Sequence, residues 1–336
     1  MRDLLQKLID REDLDEAAAG ALLRGLTDAA APPAIVGAVL ATLQAKGVAA
    51  SELRGFALAM RSLARRPAIS PGAPTLDIVG TGGDGSGSVN LSTGSSLLAA
   101  ACGLRVVKHG NRSVSSRTGS ADVLEALGLA LPLDELAAGA LLDQCGFTFL
   151  FAPYYHPAMK AVAPVRAALG VRTVFNILGP LMNPAEPAFH LIGAYSAPVA
   201  RLMADALSGM AIERAFVVHG AEGWDEPTPV GEFMLIDVRP GSVVETTRDP
   251  RAAGMARCAA AALIGEDAAF NAAALRRTLQ GEERGALRDA LTLGAGLALE
   301  LAGSARSLDE GIAAAAAAID DGRAGGVLAA LGASRR

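Results

Sequence analysis

Cysteine is scarce: Cys102, Cys145 and Cys258 are the only three in 336 residues. An odd number without metal-ligand spacing encodes neither a disulfide scaffold nor a zinc fold, and it suits a reducing compartment. Long apolar runs are missing too. No stretch reaches the roughly 18 residues that read as a membrane span, and the opening MRDLLQKLIDRED has no apolar leader core. The expectation is a cytoplasmic protein with no membrane partner. A basic excess is also absent, since 30 Lys and Arg face 35 Asp and Glu for a net charge of −5. That argues against a general nucleic-acid surface, which carries cations over a whole face. Local cations must serve something smaller.

Two cofactor signatures fail where they come nearest to appearing. Leu76 to Thr93, LDIVGTGGDGSGSVNLST, runs from an apolar strand through a glycine-rich turn into a hydroxyl-rich helix start. It contains Gly80-x-Gly82-x-x-Gly85, but a dinucleotide site expects an acid about 20 positions on, and Ala99 to Val107 holds no carboxylate. A nicotinamide cofactor is disfavoured. A nucleotide P-loop needs Gly-Lys-Ser or Gly-Lys-Thr, whereas Gly85 is followed by Ser86, so ATP held that way is disfavoured as well. A looser anion cradle remains, built from glycine-turn amides and a helix start. Asp84 sits in it as an acceptor of hydroxyl or amide hydrogens. A turn without any ligand is the plainer alternative.

Three further blocks carry chemistry. KHGNRSVSSRTGSADVLEALG, Lys108 to Gly128, follows the apolar strand Leu104 to Val107. This puts Lys108 and His109, a cation and a potential cation, at the strand's carboxyl end, followed by donors at Asn111, Arg112, Ser113, Ser115 and Ser116. Ser120 with Asp122 reads as a helix start. The second block, Phe149 to Pro184, has prolines at a spacing an ordinary helix does not tolerate, which implies a shaped wall. Within it Arg166 is able to take a carboxylate bidentately or to form an interdomain ion pair. His156 reads as structural, and Tyr154 and Tyr155 as packing or pocket lining. In the third block, VVHGAEGWDEP, a strand from Ala215 to Val218 ends in a turn with adjacent acids, Asp225 and Glu226. These are hard oxygen ligands of the kind that hold Mg²⁺ with waters and substrate phosphates, or else surface acids; Ser92 adds a hydroxyl.

The organisation is α/β. With 51% hydrophobic residues the chain can bury a large core and suits two domains. Residues 1–66 show helical periodicity and make a small helical domain. From Leu76 short apolar strands alternate with helices, predicting a mainly parallel central sheet in a larger domain, 74–336. The strands fall at Leu76 to Val79, Leu104 to Val107, Phe147 to Phe151, His190 to Ala194, Ala215 to Val218 and Phe233 to Asp237. The block at about 157–184 crosses back to the helical domain, so the cleft lies between the two. Gly311 to Ala333 reads as packed helix.

Taken together, GTGGDG with NLST, KHGNRSVSS, HPAMK with PVR, RTVFNILGPLMNP and WDE resemble the anthranilate phosphoribosyltransferase family, in family order and over most of the chain. The resemblance implies a nucleoside phosphorylase/phosphoribosyltransferase-like fold, a homodimer, and the partners anthranilate and phosphoribosyl diphosphate. The implied sugar-diphosphate site comprises Gly80, Gly83, Asp84, Ser88, Asn90, Leu91, Ser92, Thr93, Lys108, His109, Gly110, Asn111, Arg112, Ser113, Val114, Ser115, Ser116 and Ser120. Anthranilate is implied at Gly80, His109, Asn111 and Arg166, and Mg²⁺ at Ser92, Asp225 and Glu226. No general base or covalent nucleophile is identified. Three departures bear on the acceptor: Val89 where the family has an aromatic, Thr292 where it has Asn, and the turn Pro227 to Val230. Two other readings share the fold. A nucleoside phosphorylase is opposed by KHGNRSVSS and Arg166. A nucleic-acid-binding paralogue is opposed by the retained acids and the lack of a basic face.

Overall fold

The computed structural model describes residues 1–112 and 118–333. Four helices come first: α1 (Arg2–Ile9), α2 (Glu16–Leu26), α3 (Pro33–Lys46) and α4 (Ala50–Ser62). Asp15 caps α2 by accepting the Ala18 N–H at 2.8 Å, and Pro33 opens α3, where its missing N–H costs nothing. Next come β1 (Thr75–Gly80), α5 (Leu91–Ala101), β2 (Arg105–Gly110), α6 (Ser120–Leu127), α7 (Glu135–Cys145) and β3 (Phe147–Phe151). The proline-rich arm holds α8 (Ala152–Tyr155), α9 (Met159–Leu169) and α10 (Phe175–Leu178). The chain then returns to the sheet through β4 (Phe189–Gly193), α11 (Ala197–Ser208), β5 (Arg214–His219), β6 (Phe233–Arg239) and β7 (Ser242–Arg248). It closes with α12 (Ala268–Leu279), α13 (Ala286–Leu301), α14 (Leu308–Asp320) and α15 (Arg323–Ala333).

Among the described residues the sheet has the order β3-β2-β1-β4-β5-β6-β7. The first five strands are parallel, and β6 and β7 are antiparallel additions. Because successive strand residues face opposite ways, the sheet divides the interior into two cores. Phe216, Val218 and Leu235 point into one, with Leu76, Ile78 and helices α5 and α13. Ile192, Val217 and Ile236 point into the other, where α11, the N-terminal helices and arm residues Val162, Val174, Phe175 and Leu178 pack as a single cluster. The arm and residues 8–60 therefore share one apolar interior.

Two local readings are corrected. Pro164 lies inside α9, so the arm's proline spacing did tolerate a helix. Pro164 is the sixth residue of that helix, so its missing N–H forgoes one ladder bond, to the Lys160 carbonyl, while the chain enters the helix through tight turns such as Lys160 N–H to the Pro157 carbonyl at 3.1 Å. The edge strand β7 went unread because Ser242 to Thr247 are all exposed and present no apolar stripe.

Candidate active site

The parallel strands deliver their carboxyl ends to one edge, and the strand order reverses between β1 and β4. Open α/β sheets place their ligands at such a crevice. Here β1 and β4 end in the paired residues Gly80 and Gly193. Their lack of side chains has a specific cause. A Cβ on Gly80 would lie 2.4 Å from an Asp225 carboxylate oxygen, and one on Gly193 would lie 1.6 Å from the Asp225 carbonyl. Gly220, just beyond β5, would likewise meet the Glu226 carbonyl at 2.1 Å. The three glycines admit the Asp225–Glu226 segment into the crevice.

The glycine-rich turn folds onto that segment. Gly82 and Gly83 take φ of +68° and +73°, which side-chain-bearing residues rarely adopt. The Gly82 N–H donates to Asp225 Oδ2. Asp84 accepts the Asp225 N–H at 3.2 Å with one oxygen and the Ser86 N–H at 3.1 Å with the other. Ser88 lies 3.3 Å from the Ser86 hydroxyl and forms an isolated bridge to Ile264. Asn90 precedes α5, is bound through its side-chain oxygen by Asn271 at 2.9 Å, and donates to the Thr118 carbonyl at 3.3 Å. Leu91 and Thr93 are buried in the first turn of α5.

Charge is concentrated beneath the turn. Glu226 accepts the Ser92 N–H at 3.1 Å at the amino end of α5, while the Lys108 ammonium donates to Ser92 Oγ at 3.2 Å and to the Ile78 carbonyl. Burial and then the neighbouring Asp84 charge push Asp225 up to about 7; burial and then Asp225 push Glu226 up to about 8. Burial lowers Lys108, against the pull of Asp77, Glu226 and Asp225. Acids raised by desolvation and mutual repulsion gain from a cation. Two carboxylates and the Ser92 hydroxyl are oxygen donors that fit Mg²⁺. Among the described residues no group of three or more His, Cys, Asp or Glu could hold a metal ion by itself; Mg²⁺ commonly takes further ligands from water and phosphate.

The KHGN segment differs from its expected form. Lys108 and His109 are buried within β2 and do not emerge from its end. The reason is a buried polar lattice: Asp77 accepts the His109 N–H at 3.3 Å and an Asn183 amide N–H at 2.8 Å, and the same Asn183 group reaches the Val107 carbonyl at 2.8 Å. His109 is held well below its ordinary pKa by burial and then by His156, so it is neutral and supplies no positive charge. Its Nδ1 lies 3.3 Å from the Gly179 carbonyl, and its ring meets His156 edge-to-face at 5.0 Å. Gly110 abuts Ser120, whose hydroxyl donates to the Asn111 carbonyl at 3.4 Å. Arg112 is engaged by Asp122 at 2.8 Å and by Glu125, so a phosphate would have to compete for it. Ser113, Val114, Ser115 and Ser116 lie outside the described residues.

On the arm, Arg166 is half-buried on α9 with its guanidinium 5.1 Å from the Phe175 ring centre. Among the described residues it has no acidic partner, unlike the ion pair its chemistry also allowed. The tyrosines resolve as packing: Tyr155 donates to the Leu133 and Asp134 carbonyls at 3.2 Å, and Tyr154 to Glu135 at 2.9 Å. Val89 and Thr292 are buried, Val89 in the sheet core and Thr292 bonded to the Asp289 carbonyl at 3.0 Å. Pro227, Thr228 and Pro229 are buried as well. Gly193 and Gly220, whose signal is a glycine ending a strand, and Arg172, which donates to the Gly83 carbonyl, had no site role assigned from the sequence.

A helical bundle joined to an α/β sheet, with a glycine turn and paired acids at the switch point, is the architecture of a glycosyltransferase class. Residues 2–64 match the family described as "Glycosyl transferase family, helical bundle domain", and residues 72–325 match "Glycosyl transferase family, a/b domain". Within that class the chain belongs to the anthranilate phosphoribosyltransferase family. It is 44% identical to the anthranilate phosphoribosyltransferase of Rubrobacter xylanophilus over 98% of this chain and 95% of that one. It is 43% identical to that of Natronomonas pharaonis over 98% of each. Its structure resembles the Thermus thermophilus enzyme with a TM-score of 0.93 at 43% identity, covering 99% of both chains. It also resembles the Saccharomyces cerevisiae enzyme solved in complex with PRPP and Mg, with a TM-score of 0.89 at 25% identity over 99% of this chain and 96% of that one.

Proposed function

We propose that this chain transfers the 5-phosphoribosyl group from 5-phosphoribosyl 1-diphosphate to the amine of anthranilate, giving N-(5-phosphoribosyl)anthranilate and diphosphate in tryptophan biosynthesis. The observation that carries the reading is the seating of Asp225 against Gly80, Gly193 and the glycine turn, with Glu226 against Gly220 and the Ser92 N–H. In this reading Gly80, Gly83, Asp84, Ser88, the Asn90–Thr93 start of α5, Lys108 to Ser116 and Ser120 grip the sugar diphosphate. Ser92, Asp225 and Glu226 hold Mg²⁺, which when bound offsets the charge that gathers on the departing diphosphate.

The protein's own part is electrostatic and positional. Asp225, Asp84 and Glu226 hold turn amides and the amino end of α5 in place before substrate arrives; once the diphosphate has exchanged for these partners, little further reorganisation is needed as the C1–oxygen bond lengthens and its electron pair leaves with diphosphate. Arg166, lacking an acidic partner, takes the anthranilate carboxylate, with Asn111, the neutral His109 and Gly80 beside the ring. The amine nitrogen forms the new bond to C1 and loses its proton to water. Aligning the two substrates removes part of the entropic barrier.

We also read the protein as a cytoplasmic homodimer that associates through its N-terminal helices, where Ile9, Leu58 and Leu63 are exposed. Residues 1–66 with the arm 157–184 are read as closing over substrates held by 74–336. Light scattering tests the dimer, and identical X-ray scattering with and without substrates would count against closure. The central test mixes purified protein with anthranilate, phosphoribosyl diphosphate and Mg²⁺ and follows the loss of anthranilate fluorescence. No loss above a blank without protein would overturn the reading.

A further inference from the structure

Arg172 lies in the short link after α9, where the chain leaves the helix through Gly170 at φ +63°. It projects from a firmly held backbone, because Thr173 and Val174 are buried and the Thr173 N–H is bound by Asn176 at 2.9 Å. Its guanidinium stacks 4.2 Å from the Tyr195 ring centre and donates through Nη2 to the carbonyl of Gly83 in the glycine turn. Tyr195 is fixed to that turn from the other side. Its N–H donates to Thr81 Oγ1 at 3.1 Å, and the Thr81 N–H donates to the Gly193 carbonyl at 2.9 Å. One side chain thus joins the arm, the end of β4 and the turn.

The contact acts on a single peptide plane. In a trans peptide the C=O and the following N–H point in opposite directions, so holding the Gly83 carbonyl toward Arg172 holds the Asp84 N–H away from it. Gly83, at φ +73°, belongs to a turn whose flexibility would otherwise let that plane rotate. No ion pair competes for Arg172 among the described residues. Lysine is a poor substitute here, because a single ammonium cannot both lie flat on a ring and direct a fork at a carbonyl.

We propose that Arg172 is a positioning residue that sets the Gly83–Asp84 peptide for the sugar diphosphate and links the donor turn to the arm bearing Arg166. The proposal rests on the glycine turn being the sugar-diphosphate site. Calorimetry of the wild-type protein with phosphoribosyl diphosphate and Mg²⁺ tests that premise separately, since absent binding there removes the premise whatever Arg172 does. With wild-type binding in hand, Arg172→Ala is expected to weaken that binding about tenfold, the scale of one charge-assisted hydrogen bond. It is expected to raise KM for the sugar diphosphate more than it lowers kcat, and to speed hydrogen exchange over residues 80–87 in the free protein. Tyr195→Ala should reproduce part of the effect, Tyr195→Phe none, and Arg172→Lys should recover the melting temperature without full affinity. Wild-type affinity and exchange in Arg172→Ala would overturn the proposal. So would an Arg172→Lys variant that restores stability and binding together, since that would make the side chain a structural filler.

Discussion

The two sides of the crevice are built on opposite principles. On the donor side the charged groups are already engaged with one another: Asp84 with Asp225, Asp225 with Gly82, Glu226 with Ser92, and Lys108 with Ser92 and Ile78. On the acceptor side the groups are left open. Arg166 has only the face of Phe175 beneath it, and the buried Nε2 of His109 has no hydrogen-bond partner among the described residues. A ligand entering the donor side must exchange partners with groups that are already satisfied, whereas one entering the acceptor side satisfies groups that are waiting. The donor side is therefore suited to a strongly charged ligand with its own cation, and the acceptor side to a small, singly charged aromatic.

The largest loss is expected at the acids. Asp225→Ala combined with Glu226→Ala should lower kcat/KM for the sugar diphosphate by about 10³-fold and flatten its dependence on Mg²⁺, as expected when charge stabilisation of a leaving group is lost. Steady-state rates across a magnesium series measure this, and unchanged kinetics would remove the metal role. Next in size is Arg166→Ala, which should raise KM for anthranilate by about 10²-fold through loss of a bidentate carboxylate contact. Calorimetric affinity for the sugar diphosphate should stay within about twofold of wild type, and an equal loss on both substrates would erase the division between the sides.

A smaller effect sharpens the donor side without touching a charged group. Gly193→Ala sets a methyl against the Asp225 carbonyl, so it should cost about 1–3 kcal/mol by overpacking and weaken magnesium-dependent donor binding as the acid segment shifts. Denaturant melts and calorimetry read the two consequences. The smallest effect is in pH dependence. Burial and then the Arg61 charge press His190 down to about 3, while burial presses His156 down to about 4. A base depressed on folding contributes stability that is present above its unfolded value near 6.5 and is lost as pH falls toward the folded value. Between pH 7 and pH 5 His190 should therefore lose roughly 1–2 kcal/mol of stabilisation, read as the change over that range in the difference between the unfolding free energies of wild type and His190→Gln. Asp77, raised to about 6 mainly by burial, works the other way, as do Asp225 and Glu226, since their contributions are lost as pH rises through their folded values. Subtracting the His190→Gln curve from the wild-type curve removes these opposing slopes and leaves that of the histidine.

Legibility in the sequence followed chemistry that is local along the chain. The parallel strands announced themselves as short apolar runs, and the glycine turn and Asp225–Glu226 pair were visible because each is a compact cluster next to a strand end. What depends on partners distant in sequence was not visible. Nothing around Lys108 reveals that Asp77 and Asn183 draw β2 onward so that Lys108 and His109 end up inside the sheet. Nothing near Arg112 shows that Asp122 and Glu125 will hold it. Gly193 gave no sign of its purpose, since the atom it makes room for lies 32 residues later in the chain. β7 escaped notice because hydrogen bonding to β6, and not an apolar face, defines it.

The bare strand ends at Gly80 and Gly193 also limit how this protein can change. Since the carboxylate segment fills the volume where side chains of two central strands would stand, its position is inherited from the scaffold and cannot be adjusted by altering the loop alone. Attempts to re-engineer the ion preference by lengthening or shuffling residues 221–230 should yield misfolded products more often than new specificities, whereas diversity introduced on the arm around Arg166 should be absorbed and selectable.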